Sequence, residues 1–397
     1  MKVKNKIVLA YSGGLDTTVM IHWLKKNYNA EIIACTVNVG NIEDIKEIEA
    51  RAYKAGADKF YYIDAAEEYV KDYIFPAVKA NAVYERKYLL ATALSRPLIA
   101  KKIVEVAKME NTKILSHGAT GKGNDQVRFE VSFNILYPGC KVIAPWREWE
   151  LRSRSDEIEY AKRNRLPIKA TPEKPYSVDE NAGHISYEGG VLEDIERGYP
   201  EDLFRLVSLP KKITNDGETV SITFSRGIPI KINNAEYTPL QLLNELNKIG
   251  GRNGIGIADV VENRLVGIKS RGVYESPGLF LLHQAHQELE SITLDRETMH
   301  FKEIISLKYA ELVYYGLWYT KLKESCDAFV DKTQENVTGE VKFELYRGTI
   351  KVVSRKSPCS LYSAKLATFE KEEVYDQKDA AGFIKLFSLP YLSFKEK

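Results

Sequence analysis

One short segment limits this chain more than any other: an apolar run that stops in a glycine-rich turn and restarts as a helix. Residues 6–11 (KIVLAY) read as a buried strand, Ser12-Gly13-Gly14-Leu15-Asp16 follows at once, and residues 17–26 carry apolar side chains at helical spacing. Two adjacent glycines let a backbone turn tightly and approach a ligand. The free N–H groups that open the following helix form an anion site. Ser12, Thr17 and Thr18 add hydroxyls, and Asp16 can meet a Mg²⁺ ion carried on a phosphate. Residues 31–39, 59–63, 113–116 and 141–144 read as further strands, and 41–55, 65–80 and 97–110 as helices between them. Strands alternating with helices of this length predict an α/β unit, a doubly wound and mostly parallel sheet covered on both faces.

The pattern changes in the proline-rich stretch 167–175, which reads as a linker. Beyond it the spacing predicts an α+β half. Residues 220–232 form a hairpin around Arg226-Gly227, and 340–354 a second around Arg347-Gly348-Thr349. Helices are expected over 239–249, ending before Gly250-Gly251, and over 279–292 and 298–322, with a short element at 379–387. The expected division is an α/β domain (1–168), an α+β domain (169–360) and a C-terminal tail (361–397).

Charge and cysteine usage narrow the partners. Lys+Arg total 57 against 55 Asp+Glu, a net +2, which argues against a dedicated nucleic-acid binder. No apolar run approaches the roughly 18 residues of a membrane span. The basic, then apolar N-terminus loosely imitates a signal peptide, but its apolar part is short and lacks a convincing cleavage site. Cys35, Cys140, Cys326 and Cys359 are scattered with no CxxC pair, so no zinc knuckle or dense disulfide scaffold is expected, and a reducing cytoplasm fits. Gly118 to Gly123 only imitates a Walker A loop: two residues rather than four separate Gly118 from Gly121, and Gly123 replaces the Ser/Thr after Lys122. Gly250 to Gly256 reads as a C-cap and loop.

The Ser-Gly-Gly-x-Asp sequence after a first strand resembles the pyrophosphate loop of the ATP pyrophosphatases, which cleave ATP between its α and β phosphates. Residues 116–130 (SHGATGKGNDQVRFE), 141–147 (KVIAPWR), 177–188 (SVDENAGHISYE) and 261–275 (VENRLVGIKSRGVYE) resemble the argininosuccinate synthase family, and the likeness runs from about residue 6 to about 387. It implies a ligase of arginine biosynthesis that joins L-citrulline to L-aspartate with ATP, through citrullyl-AMP, releasing AMP and pyrophosphate. It implies ATP contacts at Ala10, Tyr11, Ser12, Gly13, Gly14, Leu15, Asp16, Thr17, Thr18, Val37 and Gly118. Aspartate contacts fall on Thr120, Asn124 and Asp125. Citrulline contacts fall on Tyr88, Asn124, Arg128, Ser177, Ser186, Glu262 and Tyr274. Asp16, Asp125 and Arg128 are the residues expected to carry the chemistry, with Mg²⁺ bound on the ATP and no fixed protein metal site. Within that resemblance Arg128 suits the citrulline carboxylate, Glu262 its ammonium, and Asp125 the aspartate ammonium. A homotetramer whose tail reaches across subunits is also implied, with no nucleic-acid or membrane partner.

Three positions depart from the family: Val37 and Asn41, where Ala and Gln are more usual, and Ala93, where some relatives carry a citrulline-contacting Ser. His117 and His184 read as structural, and Cys35 as packing. Two alternatives compete. A tRNA-thiolating ATP pyrophosphatase would want paired cysteines and a basic face. A non-catalytic nucleotide-binding relative would be expected to have lost Asp16, the loop glycines or Asp125.

Overall fold

The computed structural model describes residues 5–40, 44–168, 176–214, 216–370 and 374–392. Five parallel strands, β1 (Lys6–Ala10), β2 (Glu31–Asn38), β3 (Lys59–Asp64), β4 (Ile114–Ser116) and β5 (Lys141–Ile143), pair in the order β3-β2-β1-β4-β5. Successive side chains along a strand face opposite ways, so β1 feeds two cores. Ile7 and Leu9 pack with Val19, Ile21, Leu24 and Ala52 on one face. Val8 and Ala10 pack with Leu94, Leu98, Ile103 and Phe133 on the other. The strand order reverses between β1 and β4, and ligands of such sheets bind beyond the carboxyl ends of the strands at that point.

Nine further strands follow among the described residues: β6 (Ser177–Asn181), β7 (His184–Glu188), β8 (Glu218–Ser225), β9 (Ile228–Ile232), β10 (Ala235–Glu236), β11 (Ile257–Asn263), β12 (Lys269–Glu275), β13 (Gly339–Tyr346) and β14 (Thr349–Lys356). They form two sheets, β11-β12-β7-β6 and β10-β9-β8-β13-β14, with every pairing antiparallel. The mostly parallel α/β unit and the α+β half are therefore as expected. The largest core joins them, with Leu98 and Phe133 in one cluster with Leu242, Leu281 and Phe343.

Several boundaries move. The helix expected from residue 97 is Ala91–Met109, with Pro97 inside it. A mid-helix proline loses one backbone bond, but burial of Ala91, Ala93, Leu94, Pro97 and Leu98 outweighs that cost. The helix from Pro239 does not stop at the glycine pair but continues to Arg252. A Cβ on Gly251 would lie 2.2 Å from the Leu206 carbonyl oxygen, so Gly250-Gly251 serves close packing and is not a cap. The single helix expected over 298–322 is two, Arg296–Tyr314 and Lys321–Thr333, broken at Gly316, whose φ is +75°. Of the expected 65–80, residues 66–79 are helical, with a π turn at Val70–Ile74. The helix Asp125–Leu136 and the hairpins β6–β7 and β11–β12 were not anticipated as elements. Asn41 and most of the linker, 169–175, lie outside the described residues.

The chain ends in an element unlike the rest. The helix Asp379–Leu392 has no buried residue, and Phe383, Ile384, Leu386, Phe387 and Tyr391 are each more than half exposed.

Candidate active site

A cleft of about 750 Å³ opens where the strand order reverses, lined by Ala10 at the end of β1 and the loop from there to Thr18, by Val37 near the end of β2, and by Gly118 after β4. Gly13 has φ +78°, a left-handed turn that a side chain would strain. The helix Leu15–Tyr28 starts at Gly14 with no side chain capping it, so its first N–H groups remain available to an anion. The hydroxyls around it are locally tied. Thr18 Oγ1 donates to the Gly14 carbonyl at 2.7 Å, and Ser12 Oγ lies 3.2 Å from Thr17 Oγ1. Arg51 donates to the Gly13 carbonyl and lines the same cleft. A Cβ on Gly118 would meet Thr17 Cγ2 at 2.8 Å, so the two loops approach closely only because residue 118 is glycine. Beneath the loop lies Glu157, which is 1% exposed. Burial, with the Asp16 carboxylate nearby, pushes its carboxyl up and favours its protonated form.

The opposite wall begins at the N-terminus of the helix Asp125–Leu136. Asp125 shares both oxygens with guanidinium groups: Arg96 Nε donates to Oδ2 at 2.8 Å and Arg128 Nη1 to Oδ1 at 2.9 Å. Burial raises its carboxyl, but the two arginines outweigh it and hold it below the usual range. Asn124 accepts from the Leu265 N–H at 2.9 Å and donates to the Tyr314 hydroxyl at 2.8 Å. Thr120 is exposed on the loop and does not line the cleft.

The four-stranded sheet supplies the rest. Its register sets Tyr274 opposite Ser186 and Ser186 opposite Asp179. With a period of two, Ser177, Asp179, Ser186, Glu262 and Tyr274 all share one face, while Ile185, Tyr187 and Val273 pack in a small core on the reverse. Over that face stands an aromatic box. Tyr88 lies 4.8 Å from Tyr274 and edge-on to Tyr314 at 6.1 Å, with the Arg128 guanidinium 4.8 Å over the Tyr314 ring. Arg128 Nε donates to the Tyr314 carbonyl at 2.9 Å, yet its Nη2 is buried without a partner. Glu262 is 5% exposed and its Oε2 is likewise buried without a partner. Burial pushes the Glu262 carboxyl up to about 7, with Arg128 opposing. An unpaired buried charged group is costly, and an orphan donor on Arg128 with an orphan acceptor on Glu262, close enough for their charges to interact, suits the two ends of an α-amino acid.

The two histidines act as structure. The Ala119 N–H donates to His117 Nδ1 at 3.2 Å, which leaves Nε2–H for Glu130 at 3.1 Å. The Thr92 hydroxyl donates to Asp179 at 2.9 Å, so His184 Nε2, 2.7 Å from Thr92 Oγ1, donates to that hydroxyl oxygen of Thr92. Burial lowers His184 to about 4, which keeps it neutral. Cys35 is buried and burial pushes its thiol up to about 12, in keeping with packing. At Ala93 the backbone N–H donates to the Tyr88 hydroxyl at 3.4 Å.

The structure therefore brings thirteen of the expected residues to the cleft itself, Ala10 to Thr18, Val37, Gly118, Asp125 and Ser177. Asn124, Arg128, Tyr88, Ser186, Glu262 and Tyr274 form the adjoining buried box. Tyr274 also borders a separate cavity of about 920 Å³ that contains Lys87, Phe280, His283 and the buried Lys302–Glu290 pair. Sequence reasoning missed Arg51, Arg96, Asp179 and Tyr314. Gly316 was the available signal for Tyr314: a Cβ there would lie 2.6 Å from Arg128 Cα, so the helix must break where it passes the site. Among the described residues no group of three His, Cys, Asp or Glu converges to hold a metal. No helix there is long and apolar enough to cross a membrane.

Two family models cover nearly the whole chain. One, described as the arginosuccinate synthase N-terminal HUP domain, matches residues 6–167, and the other, the arginosuccinate synthase C-terminal domain, matches 176–394. The chain is 58% identical over 384 residues to the argininosuccinate synthase of Caldanaerobacter subterraneus subsp. tengcongensis, covering 97% of this chain and 94% of the relative. It is 55% identical to that of Carboxydothermus hydrogenoformans over 97% of this chain and 96% of the relative, and 54% identical to that of Clostridium novyi over 98% and 97%.

Proposed function

The chain belongs to the argininosuccinate synthase family, and from that premise we propose which of its residues carry each step. The enzyme is a carbon–nitrogen ligase that joins L-citrulline to L-aspartate using ATP, giving argininosuccinate, AMP and pyrophosphate. A urea carbonyl is a poor electrophile without a leaving group. The citrulline ureido oxygen therefore attacks the α-phosphorus, an O–P bond forms as the bond to pyrophosphate breaks, and citrullyl-AMP results. The aspartate ammonium gives up a proton to solvent, its amine attacks the activated carbon, and as the C–N bond forms the C–O bond breaks and AMP leaves with the oxygen. Neither step needs a protein nucleophile, so the residues contribute position and charge.

In this assignment the loop Ser12 to Thr18 cradles the phosphates through the free N–H groups of its helix, and Val37 borders the adenosine. Asp16, Ser12 and Thr17 are hard oxygen donors suited to a Mg²⁺ ion that arrives on ATP, where it would offset charge on the phosphates. Arg128 Nη2 takes the citrulline carboxylate and Glu262 Oε2 its ammonium, with Tyr88 and Tyr274 as walls and Ser177 and Ser186 as side donors. Asp125 takes the aspartate ammonium, with Asn124 and Thr120 beside it. The observation that carries this reading is the orphan pair, Arg128 Nη2 and Glu262 Oε2, buried in one box.

Steady pyrophosphate release from ATP should require both citrulline and aspartate; release without citrulline would overturn the reading. The same assay tests Glu262. Burial pushes its carboxyl up to about 7, and only its ionised form attracts an ammonium. Below that value binding must first remove a proton, so the citrulline KM should fall as pH rises from about 6 to about 8 and then level. Glu262→Gln should weaken citrulline binding and flatten that dependence. An unchanged slope in the variant would exclude Glu262 as its source.

The division into a nucleotide-binding unit (1–168), a synthetase unit (169–360) and an oligomerising tail (361–397) belongs to the same proposal. So do a homotetrameric state and a cytoplasmic location, the latter supported by four free cysteines. An apolar helix with no buried residue wants a partner surface, and its exposed Phe383, Phe387 and Tyr391 support a second copy of the chain as that partner. Light scattering should read four chains per particle, and a monomer would remove the tetramer.

A further inference from the structure

We propose that Arg96 is a positioning residue for the aspartate step, a guanidinium clasp that aims Asp125 and ties it to the strand bearing Ser177. The inference rests on the ligase assignment above and adds to it a residue that neither the loop motif nor the family resemblance singled out.

Arg96 stands on the helix Ala91–Met109 and lines the cleft. Its fork reaches three acceptors: Nε to Asp125 Oδ2 at 2.8 Å, Nη2 to Asp179 Oδ2 at 2.6 Å, and Nη1 to Ser95 Oγ at 3.1 Å. Asp125 and Asp179 come from different halves of the chain, one on the helix Asp125–Leu136 and the other on β6. The same Asp179 oxygen also accepts from the Thr92 hydroxyl at 2.9 Å, and Asp179 sits in register with Ser186 and two residues from Ser177. One side chain thus links the aspartate-facing carboxylate to the strand pair expected to touch citrulline.

Geometry and charge both favour a functional clasp over a plain buried ion pair. With Arg96 on one oxygen and Arg128 on the other, Asp125 cannot rotate, but each carboxylate oxygen has a second acceptor site left. Those sites remain for an incoming ammonium at the cleft that Asp125 lines. Two carboxylates and two guanidiniums make the cluster neutral. Without Arg96 it would carry a net negative charge beside a triphosphate, and burial would favour protonation of Asp125, which cannot then receive an ammonium. A lysine can supply the charge but not the fork, because one ammonium on a flexible stem does not hold two carboxylates in fixed directions.

The test is steady-state kinetics on the full chain for the wild type, Arg96→Gln, Arg96→Lys, Asp125→Asn and the double variant Arg96→Gln/Asp125→Asn, with thermal unfolding of each. Arg96→Gln should raise the aspartate KM by about ten- to a hundredfold. Citrulline-dependent exchange of pyrophosphate into ATP should stay within about threefold. The double variant should be no worse for aspartate than Asp125→Asn alone, because Arg96 acts through that carboxylate. Arg96→Lys should show the same split in smaller measure, and it carries the test if the Gln variant does not fold. An aspartate KM within about twofold of wild type, equal losses in both half-reactions, or multiplying effects in the double variant would each overturn the clasp. Absence of exchange in the wild type would overturn the ligase assignment instead, so the two failures are distinguishable.

Discussion

Asp125→Asn is expected to separate the two halves of the reaction. The aspartate KM should rise by about 10²–10³, while citrulline-dependent exchange of pyrophosphate into ATP stays within about tenfold of wild type. The magnitude comes from replacing a charge-assisted contact with an ammonium by a neutral one, about 3–4 kcal/mol in a partly buried site. The selectivity comes from placement. Asp125 borders the cleft, whereas the orphan donor and acceptor assigned to citrulline lie in the adjoining aromatic box. Asparagine is the better substitution than alanine for a structural reason. Its amide oxygen still accepts from one guanidinium, while alanine would leave both Arg96 and Arg128 short of a buried acceptor. A kinetic loss in the alanine variant could then reflect a collapsed wall. Equal loss of adenylation and aspartate use in the asparagine variant would refute the role given to Asp125.

How far the sequence reached follows from how local each signal is. The glycine-rich loop was legible because all its parts are contiguous: a strand, two glycines, and a helix whose open N-terminus needs no distant partner. The parallel sheet was legible for the same reason, strand by strand. The box around Arg128 was legible only through the family resemblance, because Tyr88, Arg128 and Glu262 meet across separations that spacing does not encode. Arg96 and Tyr314 were missed because what marks them is a set of contacts to remote residues, with Asp179 and with Asn124. Helix ends failed where packing overrode local propensity. Pro97 and Gly250-Gly251 carry strong breaker signals, yet each lies inside a helix because burial or a close backbone approach decides there. Gly316 was a breaker that did break, and its purpose is visible only beside Arg128.

Arg128→Met should give the opposite pattern to Asp125→Asn, a loss of both half-reactions together. The guanidinium has three fixed tasks: Nε on the Tyr314 carbonyl at 2.9 Å, Nη1 on Asp125 at 2.9 Å, and its plane over the Tyr314 ring at 4.8 Å. Only Nη2 is spare, and it is buried. A citrulline carboxylate bound there would be paired in a site with little water, where removing the partner costs about 3–5 kcal/mol, or roughly 10²–10³ and more in kcat/KM for citrulline. Adenylation fails first, since citrulline supplies the attacking oxygen, and the aspartate step fails with it for want of an intermediate. Methionine keeps the length and packing of the stem, so the unfolding midpoint should fall far less than activity does. Lysine should not rescue, because a single ammonium cannot meet the carbonyl, the carboxylate and a ligand in three directions at once. The contrast between the two variants is the informative result. They stand one helical turn apart on the same helix and share a salt bridge, so non-specific damage to that turn would make them behave alike. If Arg128→Met kept citrulline-dependent exchange within about tenfold, the spare nitrogen would not be the citrulline anchor, and the orphan pair would need another ligand.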